Sequence, residues 1–314
     1  DMCSVEIKSP AGIASHRRGT HNIRGSIKHL QYHNHKVVAV RRTSRLEKTY
    51  CLTVPKYENF AISAGVFVHN CRMKISIFPI IGEGGEWDSS FKDALISQTR
   101  FGMGAAFKKG DKGGLSQHEV LDDPDWNLVN KMVPLKNNQT LHSIAVEQLG
   151  TSGGGNHFVE WGVLTIREPS FAYTEQERSH YFFNEGDTYI ALLSHSGSRG
   201  VGAKIADHFS KLAMSLRPNL PQEVKHLAWF DMDTQEGQEY WMAMNLGGRF
   251  AKANHDVIHK RIADEMGIGE PILSIDNHHN FAWIEDVIMN NGEIRKAYVH
   301  RKGATPAGVG VLGI

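Results

Sequence analysis

From residue 71 onward, apolar positions fall into runs that switch between strand and helix periods. Met73–Pro79 predicts a strand, which the loop Gly82-Glu-Gly-Gly-Glu86 ends, and residues 89–101 predict a helix. Residues 108–140 are polar, are broken at Gly113-Gly114 and Pro124, and predict a long loop region. Ile144–Leu149 carries a short helical signal, Gly150–Gly155 a glycine loop, and Phe158–Leu164 and Tyr189–Leu193 strand patterns. Between 203 and 216, Ile205, Phe209, Leu212, Ala213 and Leu216 share one face, and Pro218 stops the helix. The longest helix is predicted over 238–266, with Trp241, Met244, Ala253, Val257, Ile258 and Ile262 as its stripe. Ile272–Ile275 and Lys296–Val299 predict strands. Upstream the texture differs. Lys36-Val-Val-Ala-Val40 and Tyr50-Cys-Leu-Thr-Val54 predict a β-hairpin, Phe60–Val68 predicts a strand pair broken at Gly65, and residues 1–35 show no clear period. The chain therefore reads as α+β with no internal repeat, preceded by a small all-β unit.

Charge sharpens that division. The net charge is +1 overall, yet residues 1–50 hold ten Lys/Arg against three acids, a net of +7 that a compensating acidic remainder offsets. A basic arm on RNA and a solvated basic face both account for such a segment. Three cysteines, at 3, 51 and 71, are too few for a disulfide framework and point to a reducing, cytoplasmic setting. No apolar run approaches the roughly 20 residues that span a bilayer, so no membrane partner is expected. Eighteen histidines suggest metal or acid–base work without locating it.

The two textures meet at His69-Asn70-Cys71. An asparagine side-chain amide can attack its own carbonyl, cyclise and cut the chain, with the preceding histidine polarising that carbonyl and the following cysteine supplying a nucleophilic sulfur. The stretch from Thr49 to Asn70 resembles the C-terminal end of an intein, of the all-β Hint fold. That likeness implies a boundary, with residues 1–70 the intein portion and 71–314 a second protein. His69, Asn70 and Cys71 would be the catalytic residues of the splicing junction. The intein's N-terminal nucleophile and its Thr-x-x-His block are not recognisable in residues 1–48, and Cys51 and Glu58 depart from the usual Asp and His.

Beyond the seam, four segments place a cysteine or histidine at a strand end or glycine turn: Cys71-Arg-Met-Lys, Gly153-Gly-Gly-Asn-His-Phe-Val-Glu160, His195-Ser-Gly-Ser-Arg-Gly200 and Asn277-His-His-Asn280. Small residues let backbone approach a ligand closely. A thiolate with imidazoles suits a borderline metal such as Mn, Zn or Co.

The run Leu149–Glu160, the His195 segment, Trp241 through Ala253-Asn254, His278-His279-Asn280 and Val299-His-Arg-Lys-Gly-Ala-Thr305 together are similar to the RtcB family of RNA ligases, over residues 71–314. The resemblance implies an RtcB-like ligase core that uses GTP to join an RNA 3′-phosphate or 2′,3′-cyclic phosphate to a 5′-hydroxyl. It implies two Mn(II) per site, with Cys71, His157, His195 and His279 as ligands. Asn156, His157, Phe158, Val159, Glu160, His279 and Asn280 would hold the guanylate. Arg199, Arg301 and Lys302 are candidates for RNA phosphate, as planar forks and a point charge on loops. The implied partners are RNA, as tRNA halves or broken ends, and the missing N-terminal ligase and intein half.

Two family features have no counterpart. The metal-binding Asp expected three residues before the cysteine is absent, since Val68, His69 and Asn70 occupy that stretch, and the nucleophilic histidine of a His-Gly-Ala-Gly-Arg motif is expected beyond Ile314. Two other readings stay open, a metal-dependent phosphoesterase and a catalytically silent RNA-binding remnant on the same scaffold.

Overall fold

The computed structural model describes residues 6–8, 71–79, 88–111, 115–174, 179–289 and 291–306; for 6–8 and 170–181 it describes the backbone course alone. The hairpin expected within 36–54, the strand pair at 60–68, and His69 and Asn70 lie outside the described residues.

Five strands form the central sheet: β1 (Glu6–Lys8), β2 (Cys71–Phe78), β3 (Phe158–Thr165), β6 (Thr188–Gly197) and β7 (Leu273–His278). They lie in the order β1-β3-β6-β2-β7, and every neighbouring pair is antiparallel. Two hairpins stand outside it, β4 (Ser170–Thr174) with β5 (Ser179–Phe183), and β8 (Asn280–Ile288) with β9 (Ile294–Lys302). A two-residue side-chain period sorts β2 between the sheet's faces. Lys74, Ser76 and Phe78 meet the longest helix on one side, while Ile75 and Ile77 join Leu193 and Leu273 on the other.

The helices are α1 (Ser89–Gln98), α2 (Asp125–Met132), α3 (Leu141–Gln148), α4 (Arg199–Leu216) and α5 (Gln235–Met266). Local signals set their ends. Thr140 closes a capping box with Ser143, and Thr234 accepts from the Gly237 amide. Gly267 ends α5 in the left-handed region at φ 63°, which a residue without Cβ adopts at low cost. Pro124, expected only to break structure, instead sits at the N-cap of α2, where its missing N–H removes no helical bond. The stretch 108–140 thus contains α2 and a 3-10 turn at Glu119–Asp122, against the expected loop region.

α5 is the spine. One flank packs with α2, α3 and α4 through Trp126, Leu141, Phe209 and Phe250. Another covers the sheet through Ile258 and Ile262 against Phe78, Trp161 and Leu192. Truncating a fully buried member such as Leu192 to alanine costs about 2–5 kcal/mol. The sheet's opposite face is left to a smaller cluster that includes Ile75, Ile77 and Leu193.

Candidate metal centre

The site lies at one end of the sheet, on the face away from α5. Cys71 opens β2 opposite Gly197 of β6, and Met73 pairs with His195 on one side and Asn277 on the other. The His279 amide donates to the Cys71 carbonyl at 3.4 Å, so the residue after β7 continues the ladder. His195 lies opposite Phe158, whose ring meets it edge-on at 5.7 Å. The glycine loop after α3 brings Asn156 and His157 to the same end.

These elements gather the ligating atoms. One atom each from Cys71, His195 and His279 lies within 4.8 Å of the others. His195 Nε2 is 3.1 Å from His279 Nε2, and His157 Nε2 is 3.9 Å from the Cys71 sulfur. His195 Nδ1 donates to the Asn156 carbonyl at 3.1 Å, which leaves its Nε2 lone pair facing His279. Ligating histidines are oriented by such a bond on the other ring nitrogen. Two nitrogens each about 2.1 Å from a shared ion stand roughly 3.0–3.4 Å apart, so the observed pair fits a common cation.

Electrostatics agree with that fit. Burial, assisted by neighbouring cations and imidazoles, lowers His157 and His279 to about 4, and burial lowers His195 as well. All three are therefore neutral near pH 7, as metal ligands must be. Burial raises the Cys71 thiol, while Asn280 and the charge of Lys302 act against that rise. Asn280 also accepts from the Gly303 amide at 2.9 Å, tying the end of the β8–β9 hairpin to the site.

The other residues expected at the site divide. Glu160 lies two residues along β3 from Phe158, and burial raises its carboxyl. Val159 packs in the core between the sheet and α5, so only its backbone is free to meet a ligand. Lys302 is exposed and close enough to influence Cys71 and His279. Arg301 is not a free fork: it pairs bidentately with Glu285 and lies over the Trp283 ring at 5.1 Å. Arg199 is half-buried rather than on the open surface, and its Nε donates to Thr151 Oγ1 at 3.0 Å.

Sequence reading passed over what holds the loops. Asn254 of α5, fully buried, accepts from the amides of Gly150 and Thr151 at 2.8 and 3.1 Å. It donates to the Thr151 carbonyl at 2.9 Å and to Ser196 Oγ at 3.1 Å. One side chain thus clips the glycine loop and the strand end bearing His195 to the spine. A polar Asn-His pair interrupting the apolar stripe of α5 was the available signal.

Residues 86–313 match the family model described as tRNA-splicing ligase RtcB. The chain belongs to the RtcB family. Among curated RtcB proteins, each named tRNA-splicing ligase RtcB, one from Thermococcus kodakarensis is 31% identical over 51% of this chain and 34% of its own length. One from Nanoarchaeum equitans is 30% identical over 72% of this chain and 47% of its own. One from Methanocaldococcus jannaschii is 25% identical over 87% of this chain and 30% of its own. The chain spans under half the length of these RtcB relatives. The Methanocaldococcus match takes in more than the stretch from Cys71 onward holds, so it includes part of residues 1–70. Among the described residues, no helix is long and apolar enough to cross a membrane.

Proposed function

We propose that this chain is part of an RNA ligase that uses GTP and Mn(II) to join RNA 3′-phosphate or 2′,3′-cyclic phosphate ends to 5′-hydroxyl ends, interrupted before Cys71 by the C-terminal part of an intein. The observation that carries the ligase reading is the convergence of Cys71, His195 and His279, with His157 beside the sulfur, in a member of the RtcB family. These four side chains would hold the metal, and a divalent ion there would neutralise phosphate charge and orient a nucleophile. Asn156, Phe158 and Asn280 lie against these ligands, with Glu160 two residues farther along β3, and would seat the guanylate. Arg199 and Lys302 bring positive charge to it for phosphate. RNA ends, such as tRNA halves, are the proposed substrate. The intein reading rests on the His69-Asn70-Cys71 junction and on the likeness of Thr49–Asn70 to the C-terminal end of an intein.

Labelled GTP provides the test. The His-Gly-Ala-Gly-Arg motif does not occur in residues 1–314. Incubation with GTP and Mn(II) is therefore expected to leave no covalent label on this chain after denaturation, whereas a ligase extended through that motif acquires one. Stable labelling of His300, or of any histidine in this chain, would sink the assignment of roles.

A further inference from the structure

The histidines at the site are not supported alike. His195 is steadied from outside the cluster by the Asn156 carbonyl on its Nδ1, and His157 has Arg199 Nη1 at 3.3 Å from its own Nδ1. His279 lacks such a support: its Nδ1 is buried and meets no hydrogen-bond partner among the described residues. What holds His279 is the chain on either side. Its amide donates to the Cys71 carbonyl, and its carbonyl accepts from the Ala304 amide at 3.0 Å. The residues that flank the His279-Asn280 pair close on each other, with the rings of His278 and Phe281 stacked at 4.4 Å and 13°.

That stack rests on a glycine. Gly248 is buried in the middle of α5, where alanine is the better helix former. A Cβ there would stand 2.7 Å from Phe281 Cε2 and 3.0 Å from Cζ, where ordinary contact begins at 3.4 Å, and 3.7 Å from His278 Nε2. The ring has little room to retreat. Phe281 is buried against Met244 and meets the Trp283 ring at 5.3 Å, and Trp283 is covered in turn by Arg301, which Glu285 holds.

We propose that Gly248 is a positioning residue for the metal centre, acting on His279 through the stacked rings of Phe281 and His278. Its missing side chain lets the turn between β7 and β8 seat against α5, and that seat aims His279 Nε2 at His195. A Cβ at this position lifts the turn off the spine and carries His279 away from Cys71 and His195, the two residues its ligating atom now joins. The glycine thus serves the ligand rather than the helix. This inference rests on the metal reading of the site, but its first test does not.

The first test is crystallography of metal-free protein. Gly248→Ala is expected to widen the 3.1 Å between the Nε2 atoms of His195 and His279 past the roughly 3.4 Å that a shared ion permits, with His195 still on the Asn156 carbonyl. An unchanged separation overturns the proposal. The second is Co(II) titration followed by thiolate-to-metal absorbance. Gly248→Ala should weaken binding about tenfold or more in the natural chain, but less than about twofold in a His279→Ala background, where the ligand it serves is already gone. Equal losses in both backgrounds would make Gly248 a packing residue only, which also overturns the proposal. Phe281→Leu removes the stack without adding an atom to α5; it should give the same two results, and it decides the matter if the alanine variant does not fold. If the natural chain binds no Co(II), the metal reading fails, and the crystallographic separation still decides the role of Gly248.

Discussion

Ser194 and His195 are consecutive residues of β6, yet they serve opposite faces of one sheet. On the α5 side, the Ser194 hydroxyl lies 2.6 Å from His255 Nδ1 and 2.7 Å from His259 Nε2. His259 reaches Ser76 Oγ at 2.8 Å, and Ser76 reaches Ser274 Oγ at 2.9 Å. Each hydroxyl can donate to one neighbour and accept from the next, so the row ties both histidines into the core, with His255 Nε2 left without a partner among the described residues. On the other side, His195 and His279 turn their Nε2 atoms toward each other at 3.1 Å, and His279 Nδ1 has no hydrogen-bond partner among the described residues. Histidine chemistry is the same on both faces. What differs is that on the α5 side serine hydroxyls stand between the rings, whereas on the other side two ring nitrogens face each other directly. Where hydroxyls intervene, histidine is architecture; where they do not, the remaining lone pairs are available to a ligand.

The contrast is open to attack through the stability of the metal-free protein. The largest effect is expected from Asn254→Ala, which strands the Gly150 amide and takes one partner each from the Thr151 amide, the Thr151 carbonyl and the Ser196 hydroxyl in the interior. A loss of about 3–4 kcal/mol is expected in chemical denaturation; a loss below about 1 kcal/mol would show that the clip contributes little.

A smaller effect concerns pH. Burial, with help from Arg72, lowers His255 to about 3, and burial with Lys74 and His255 holds His259 well below its usual value. Both are neutral in the folded state, whereas the unfolded chain protonates them near 6.5. The unfolded state therefore binds more protons as pH falls. Stability is full above about 6.5 and drains away toward about 3, at up to about 1.4 kcal/mol per pH unit for each group. His255→Leu should shallow that slope when urea midpoints are followed from pH 7 to 4. An unchanged slope would place the acid sensitivity elsewhere.

The smallest effect is expected from His195→Ala and His279→Ala, at under about 1 kcal/mol each in metal-free protein, because neither removes a completed network. If either costs as much as Asn254→Ala, the open face is architecture too and the distinction collapses.

Much of this was legible in the sequence for a physical reason. The elements after residue 71 bury whole faces, so the strands around Tyr189–Leu193 and Phe158–Leu164 and the helix over 238–266 carry strong periods. The site was legible because Cys71, His157, His195 and His279 sit beside glycines and asparagines at strand ends. What escaped depends on partners remote in sequence. α2 was hidden in polar surroundings behind Pro124. The β4–β5 hairpin lacks a core period of its own, and β8 was not anticipated beside the strand signal at Lys296–Val299. Arg301 reads as a free fork until its cross-strand neighbour Glu285 is known. Asn254 reads as an interruption until the loops it clips are in place.

β2 joins the sheet at its first residue, between two strands made much later, and that order has a consequence in time. Arg72 and its partner Asp276 are 204 residues apart in the chain. A ribosome adding about 5–20 residues per second needs roughly 10–40 s to cover that distance. Throughout that interval the sulfur of Cys71 has neither its complete sheet nor its full set of imidazoles around it. Under the proposed junction, the seam therefore has a period during synthesis when its nucleophile is unencumbered. The topology of the sheet alone places assembly of the proposed metal centre after it.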